Sequence, residues 1–317
     1  MKILVFGKDG QLGKAFKNLF DAFPPSQNIE VQYAGRDDCD LSNEKALNSY
    51  LEQVAPNLII NAAAYTAVDL AQTNEELAFA INTHAPELMA AYATSHGASL
   101  LHYSTDYVFD GQKQVAYIES DPRNPLSVYG KSKAAGEEAI EKVFAKQSAS
   151  RYAILRTSWV YGEGANFIRT ILRLAKERDQ LRVIHDQLGV PTNAQWLAQT
   201  SLDLVFDDQF QLKPFPSGIY HAVPNGETSW HGMASLAVKV ATDCGVDLTV
   251  KPDSILPILA AEYPLPAPRP QNSRLDNSKL RLLIESEGDM TKLQHLNTSW
   301  EESVRTYIAQ LAQKNLI

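Results

Sequence analysis

The chain begins MKILVFGKDGQLGKAF, residues 1–16. The apolar run Ile3–Phe6 is too short for a signal peptide and is typical of a buried strand. Gly7, Gly10 and Gly13 follow it and lead into a helical pattern. A glycine turn between strand and helix lets backbone amides approach a pyrophosphate at the positive end of the helix. The GxxGxxG spacing is weak evidence by itself, but in this position it predicts a dinucleotide-binding βα unit.

Short apolar runs alternate with helical patterns through the first half of the chain. The predicted strands are residues 3–6, 31–34, 58–60, 100–103 and 153–155, and the predicted helices are residues 12–20, 43–54, 75–96 and 128–144. Asn43 is a candidate N-cap for the second helix. This alternation predicts an α/β fold with a Rossmann-type, doubly wound parallel sheet. We assign the dinucleotide-binding domain to residues 1–157.

The pattern changes after Thr157. Further helices are predicted at residues 167–178, 196–205, 230–241 and 300–313. Six prolines between Pro252 and Pro270 forbid a regular helix or a central strand, so we predict a loop that wraps a surface or a ligand. Residues 158–317 are therefore assigned mainly to a smaller, proline-rich substrate-binding region, part of which can return to the first domain.

Composition excludes several classes of protein. A formal net charge of −8 and a pI near 5.4 argue against a nucleic-acid binder. No apolar stretch approaches the roughly 18 residues of a membrane span. Cys39 and Cys244 lie far apart and fit neither a zinc site nor a disulfide framework, which favours a cytoplasmic protein.

The end of the second predicted strand bears on the choice of cofactor. NAD-selective folds place an acidic side chain there, but this strand ends in Tyr33-Ala34-Gly35-Arg36. The Arg36 guanidinium can bind a 2′-phosphate, which favours NADPH and leaves NADH possible. The alternative is that Arg36 points to solvent or pairs with Asp37 or Asp38.

Candidate reactive residues follow the fourth predicted strand and begin the next helix. Tyr129 and Lys133 have the i, i+4 spacing that places both side chains on one helix face, where a cation lowers the pKa of a phenol. YxxxK matches arise by chance, so the context decides. Ser104 and Thr105 directly follow the strand at residues 100–103, where their hydroxyls can bond a substrate carbonyl and the tyrosine. Either hydroxyl alone could equally be a turn cap.

Six strings spread along the chain carry a resemblance. They are FGKDGQLG (6–13), NAAAYTAVD (61–69), HYSTDYVFDG (102–111), YGKSKAAGE (129–137), LRTSWVYG (155–162) and RPQNSRLD (269–276). Together they resemble the dTDP-4-dehydrorhamnose reductases, a family of extended short-chain dehydrogenases/reductases. The third and fifth strings are far more specific than the glycine loop or YxxxK.

The resemblance implies a reaction and roles for individual residues. Hydride would pass from NADPH to C4 of a nucleotide-linked keto sugar, giving dTDP-L-rhamnose. Tyr129 would donate the proton, Lys133 would support it and hold the nicotinamide ribose, and Thr105 would tune the phenol. The implied cofactor contacts are Gly7, Gly10, Gln11, Leu12, Gly13, Arg36, Asp40, Leu41, Ala63, Ala64, Tyr65, Tyr103, Tyr129 and Lys133.

The nucleotide sugar would meet a second set of side chains. Thr105, Asp106, Tyr107 and Trp159 match family positions near the sugar, although Trp159 could instead fill the core. Arg269, Asn272 and Arg274 form a candidate diphosphate- or base-binding strip because guanidinium forks match phosphate oxygens, although either arginine could instead be solvated.

The chain departs from the family at a metal site. Some members bind magnesium between subunits through glutamates, but Ala15, Gln195 and Gln310 occupy the matching positions here. None is a carboxylate, so we predict no magnesium site, and a homodimer lacks that support. Two other functions stay open: a related nucleotide-sugar 4-keto reductase or epimerase, and a non-catalytic regulatory subunit of the same fold. Intact Thr105 and Tyr129 argue against the second.

Overall fold

A parallel sheet of six strands lies at the centre of the molecule. The structure is a computed structural model that describes residues 1–23, 29–146 and 150–317. The strands are β1 (Lys2–Phe6), β2 (Glu30–Ala34), β3 (Leu58–Asn61), β4 (Ser99–Thr105), β5 (Tyr152–Thr157), β6 (Val160–Tyr161), β7 (Leu181–Ile184), β8 (Leu188–Gly189), β9 (Thr192–Asn193), β10 (Gly218–His221), β11 (Thr228–Ser229) and β12 (Ile255–Ile258). The central sheet has the order β10-β5-β4-β3-β1-β2, and every pairing in it is parallel.

The strand order reverses at β1. The chain passes from β1 to β2 on one side and then returns to β3 on the other, so the carboxyl ends of β1 and β3 flank a crevice. Ile3, Leu4 and Val5 are wholly buried because both faces of a parallel sheet are covered. The predicted Rossmann-type, doubly wound α/β fold is confirmed.

Helices cover both faces of the sheet. They are α1 (Gln11–Asp21), α2 (Glu44–Val54), α3 (Val68–Ala71), α4 (Glu75–Phe79), α5 (Ala85–His96), α6 (Val128–Phe144), α7 (Phe167–Glu177), α8 (Ala194–Val205), α9 (Trp230–Asp243), α10 (Ser278–Ser286), α11 (Met290–Leu296) and α12 (Trp300–Gln313). One core layer joins α1, α8 and α10 to the sheet, and the other joins α2, α5 and α6. Asn43 caps α2, since its side chain accepts from Ala46 N.

A second core lies beyond the sheet. It is built from apolar side chains of α7, α9 and α12 together with those of β7 and β12. The loop predicted across residues 252–270 is wrong for Ile255–Ile258, which forms β12 and pairs with β7 in a two-stranded sheet. Pro257 is tolerated because this strand has a partner on one side only, where a missing backbone donor costs least.

The second half of the chain also returns to the central sheet. After residue 157, helix α8 packs on α1, and β10 extends the sheet beside β5. The boundary at residue 157, and the assignment of residues 158–317 to substrate, stay predictions.

Candidate active site

A cleft of about 850 Å³ opens where the strands end. Its walls include Phe6 at the end of β1, Ala34 at the end of β2, Ala62 after β3, Thr105 at the end of β4 and Thr157 at the end of β5. In open α/β sheets, ligands bind at this carboxyl edge. This cleft is therefore the candidate ligand-binding site.

Most of the predicted site residues line the cleft. Those predicted for the cofactor are Gly7, Gly10, Gln11, Leu12, Arg36, Asp40, Leu41, Ala63, Ala64, Tyr103, Tyr129 and Lys133, and those predicted for the substrate are Thr105, Asp106, Tyr107 and Trp159. The remaining predicted residues lie outside the lining, and these are Gly13, Tyr65, Arg269, Asn272 and Arg274. The structure thus brings together residues that are up to 152 positions apart, from Gly7 to Trp159.

The glycine loop is shaped for close backbone approach. Gly7 has φ +88°, and a Cβ there would lie 2.8 Å from the Ala62 backbone. A side chain at Gly13 would collide with the backbone of Gly7 and Lys8, so glycine keeps α1 tight against the loop. Helix α1 begins after Gly10, which has no side chain to cap it. Gly10, Gln11 and Leu12 at this helix start line the cleft, and uncapped amides at a helix start suit an anion such as a pyrophosphate.

Arg36 lies at the rim of the cleft with its side chain exposed. The neighbouring carboxylate of Asp38 is held instead by Lys8, and it also accepts from Gly35 N at 2.8 Å. Within the described ranges of the chain, Arg36 forms no ion pair. Its guanidinium is therefore available to a ligand phosphate.

Tyr129 sits in the first turn of α6. Ser127 caps this helix by accepting from Gly130 N at 3.1 Å, which sets where the first turn faces. The Tyr107 ring packs edge-on against the Tyr129 ring, with centroids 5.4 Å apart and planes at 75°. The phenol is therefore placed by the cap and by an aromatic neighbour beside the end of β4.

The protonation of Tyr129 differs from the prediction made from the YxxxK pattern. Burial raises its pKa, the hydrogen bond with Thr105 opposes the rise, and the charge on Asp106 adds to it. The Lys133 Nζ donates to the Tyr103 carbonyl at 2.6 Å, and the pKa of the Tyr129 phenol remains raised. The prediction that a cation lowers the pKa of Tyr129 is therefore wrong for the protein without bound ligands. A protonated phenol is nevertheless the form that a proton donor needs.

Asp106 is a buried carboxylic acid within the cleft. Its Oδ1 accepts from the Thr105 hydroxyl at 2.9 Å. Burial raises its pKa to about 6, while hydrogen bonds from Ser273 and Thr105 oppose the rise. Asp106 can therefore be ionised at neutral pH and accept a hydrogen bond from a ligand hydroxyl.

Trp159 and Trp230 form an aromatic wall on the far side of the cleft. The rings stack with centroids 3.8 Å apart and planes at 18°, and both side chains line the cleft. Trp159 has φ +47°, a strained value for a bulky residue, and such strain concentrates at functional sites. Trp230 was not among the predicted residues, because no spacing in the chain links it to Trp159.

The predicted C-terminal strip binds other parts of the protein. Asn272 Nδ2 donates to the carbonyls of Lys113 and Val115 at 2.7 and 2.8 Å. Arg274 pairs with Glu227 and donates to the Gln114 carbonyl. Both residues therefore brace the loop at 113–115.

Arg269 is also paired within the protein. Its guanidinium makes a two-pronged contact with the Asp69 carboxylate at 2.7 and 2.8 Å. Asp69 lies next to Val68, which lines the cleft. A role for Arg269, Asn272 or Arg274 in binding diphosphate stays a prediction.

Asn82 is a buried residue that the pattern analysis missed. It lies in a π-helical turn, Ala80–His84, which joins α4 to α5. Its Oδ1 accepts from Tyr65 N at 2.9 Å. Its Nδ2 donates to the Tyr65 carbonyl at 3.1 Å and to Ser132 Oγ at 3.0 Å. Asn82 thus ties the loop after β3 to α6. The sequence predicted a continuous helix over residues 75–96 and gave no indication of the π-helical turn within it.

Two global features concern metals and membranes. Among the described residues, no group of three or more His, Cys, Asp and Glu side chains could hold a metal ion. The expected absence of magnesium stays a prediction. No helix in the same residues has the length and apolar character needed to cross a bilayer.

Comparison with known proteins identifies the family. Residues 1–313 match the family model described as the RmlD substrate binding domain. The chain belongs to this family. A curated relative, the dTDP-4-dehydrorhamnose reductase of Escherichia coli K12, is 42% identical, and the alignment covers 89% of this chain and 91% of the relative.

Solved structures agree with this family. A dTDP-4-dehydrorhamnose reductase from Clostridium acetobutylicum has a TM-score of 0.83 at 36% identity, covering 98% of this chain and 99% of the other. The corresponding enzyme of Bacillus anthracis, solved in complex with NADP, has a TM-score of 0.81 at 30% identity with the same coverages. The resemblance to the dTDP-4-dehydrorhamnose reductase family predicted from the six sequence strings is confirmed.

Proposed function

We propose that this protein reduces the C4 keto group of dTDP-4-dehydro-L-rhamnose to give dTDP-L-rhamnose, with NADPH as the reductant. One observation carries the proposal. The strand-end residues Thr105 and Asp106 and the helix residues Tyr129 and Lys133 line one cleft together with the glycine loop. The reductase relatives and the NADP-bound structure support the same reaction.

The cofactor would bind along the first half of the sheet. The amides at the start of α1 would hold the pyrophosphate, and Arg36 would bind the 2′-phosphate. Ala63 and Ala64 leave room at the strand ends because their side chains are small. When bound, NADPH supplies the hydride for the sugar carbon.

The reaction requires a proton for the carbonyl oxygen. Tyr129 is protonated because burial raises its pKa, so it can donate this proton as the alcohol forms. Thr105 would orient the phenol and the carbonyl oxygen through its hydroxyl. The wall of Trp159 and Trp230 would offer an apolar face to the sugar ring.

The test is an assay of the purified protein with NADPH and a panel of nucleotide-linked 4-keto-6-deoxy sugars. We expect oxidation of NADPH with dTDP-4-dehydro-L-rhamnose, and dTDP-L-rhamnose as the product by NMR of its ring protons. A product epimeric at C4 would assign the protein to a related reductase or epimerase. Binding of the sugar without NADPH oxidation would instead support the non-catalytic function.

The choice of cofactor gives a separate prediction. Replacing Arg36 with alanine removes the available guanidinium at the end of β2, so the preference for NADPH should fall by about tenfold, as for one lost charged contact of roughly 1.4 kcal/mol. The measurement is kcat/KM for NADPH and NADH in the parent and in the variant. Arg173→Ala, at an exposed pair on α7, is the matched control. An unchanged ratio in Arg36→Ala would contradict this role.

Partners and location follow from the same proposal. The protein would work on a small nucleotide sugar rather than on nucleic acid, and we place it in the cytoplasm because Cys39 and Cys244 are both free thiols. The expected magnesium site gives a homodimer no support, since Ala15, Gln195 and Gln310 stand where some family members have glutamates.

A further inference from the structure

A buried polar cluster lies beneath the cleft, between β3, β4 and α6. Its members are Asn61, His102 and Lys133, whose exposed fractions are 1%, 0% and 2%. Ala63 N donates to Asn61 Oδ1 at 3.3 Å, and Asn61 Nδ2 lies 3.1 Å from His102 Nδ1. On the other side of the ring, His102 Nε2 lies 3.2 Å from Lys133 Nζ, which also donates to the Tyr103 carbonyl.

The contacts assign the proton on the imidazole. The Ala63 amide can only donate, so it fixes Oδ1 of Asn61 as the acceptor and directs Nδ2 to the histidine. Because Nδ2 can only donate as well, His102 Nδ1 must accept. Burial, and after it the charge on Lys133, hold the pKa of His102 well below its ordinary value, so the ring is neutral. A neutral ring that accepts at Nδ1 carries its proton on Nε2.

The Nε2 proton faces the Lys133 side chain. An ammonium has three donors and no acceptor, whereas a neutral amine has a lone pair that can accept from Nε2–H. The imidazole therefore favours the amine. Burial lowers the pKa of Lys133 to about 8, with Glu137 opposing the shift, and this acts in the same direction as the imidazole.

We propose that His102 is a positioning residue, held by Asn61, that sets where the Lys133 amine lies and favours release of its proton. This inference rests on the proposed function, in which Lys133 supports the proton donor. Lys133 and Tyr129 share one face of α6, so a charge on Lys133 contributes to the field at the phenol. His102 would thereby set the pH range over which that field is present.

Other groups around the cluster do not compete for this role. Strand β3 contributes only the neutral Asn61, and the residue beside His102 on β5 is Ile154. Glu137, one turn further along α6, favours the charged lysine, but its carboxylate is already bound by Arg156 at 2.9 and 2.7 Å. His102 is thus the contact that opposes the ammonium.

The first test is an NMR titration of the unliganded protein, in which ¹³C-labelled lysine reports on Lys133 and a Lys133→Met sample assigns its signal. In the parent the Lys133 midpoint should lie near pH 8. In His102→Leu the Nε2–H that faces Lys133 is gone, so the midpoint should rise by about one unit, a tenfold gain in proton affinity. An identical midpoint in parent and variant would overturn the proposal.

The matched control is His221→Leu. His221 is equally buried, on β10, and its ring contacts the Asp276 carbonyl rather than Lys133. We expect no change in the Lys133 midpoint. An equal rise in both variants would indicate a general effect of losing a buried histidine and would overturn the proposal.

A second measurement needs no substitution. The ¹⁵N spectrum of the His102 ring at neutral pH should show a bare Nδ1 and a protonated Nε2, whereas a proton on Nδ1 would overturn the assignment. If the protein reduces the sugar, the alkaline limb of kcat should move upward in His102→Leu together with the NMR midpoint. Both spectra are recorded without substrate, so a failure of the proposed reaction leaves this test intact.

Discussion

Tyr129→Phe is expected to lower kcat by roughly 10²- to 10⁴-fold, the usual contribution of a positioned general acid. The substitution removes the phenolic proton and keeps the ring that packs against Tyr107. Affinity for NADPH should change little, because the glycine loop and Arg36 are untouched. Steady-state kinetics with dTDP-4-dehydro-L-rhamnose give kcat, and quenching of tryptophan fluorescence gives the affinity for NADPH.

Tyr50→Phe is a suitable control for this prediction. Tyr50 lies on α2 and does not line the cleft, and its hydroxyl accepts from Gln32 Nε2 at 2.9 Å. The control loses one phenol hydroxyl without touching the proposed site, so its kcat should match that of the parent. Near-normal turnover in a folded Tyr129→Phe protein would remove Tyr129 from the role of proton donor.

Glu137→Gln is expected to lower the free energy of unfolding by about 3 kcal/mol, as when one partner of a buried ion pair is removed. Glu137 and Arg156 are 0% and 1% exposed, and Glu137 also accepts from Arg123 Nε at 2.6 Å. The variant removes the negative charge that compensates the buried Arg156 guanidinium, whose other contacts include the Phe109 ring and the Glu119 carbonyl. Urea unfolding followed by circular dichroism measures the loss.

The control for the buried pair is an exposed one. Arg173 and Glu177 form an i, i+4 pair on the surface of α7, so Glu177→Gln should cost less than about 0.5 kcal/mol. Equal losses in the two variants would show that burial adds nothing to the contribution of the pair with Arg156.

The pH dependence of stability follows from the same ion pair. Burial opposes ionisation of Glu137, but the hydrogen bonds and charges of Arg156 and Arg123 outweigh it and lower its pKa. A lowered pKa in the folded state stabilises the protein above the unfolded value of about 4.3. That stability is lost as the pH falls through the folded pKa, and Glu137→Gln should lack this component.

Much of the secondary structure could be predicted because its signals are local. Helix α6 occupies residues 128–144 and α12 occupies residues 300–313, as their apolar spacing indicated. The first five strands agree with prediction to within two residues at each end. Each signal lies within a few residues of the element that it describes, so no long-range contact was needed to recognise it.

Strand β10 shows where local reasoning ends. Its four residues, Gly218–His221, carry too short an apolar pattern to distinguish an edge strand from a loop. It is a strand because Ile219 and its neighbours pair with β5 in a register that buries them. The partner strand lies more than 60 positions earlier in the chain, so only the folded molecule could define the sixth strand.

The pairing of the arginines in the C-terminal half also could not be predicted from local sequence. The string RPQNSRLD suggested guanidinium groups ready for a diphosphate, but Arg269 pairs with Asp69 and Arg274 pairs with Glu227. A sequence shows that a cation is present and not which carboxylate will lie beside it. The partners are 200 and 47 positions away.

The amino-acid sequence by itself determined the doubly wound sheet, the glycine loop at the end of β1 and the placement of Tyr129 and Lys133 on one helix face. Each of these depends on residue type and short spacing, which act through backbone sterics and helix periodicity. Only the tertiary structure decided that Trp230 stacks on Trp159 and that His102 faces Lys133. It also decided that burial raises the pKa of Tyr129. These features depend on which side chains exclude water from one another, and that is settled when distant segments pack together.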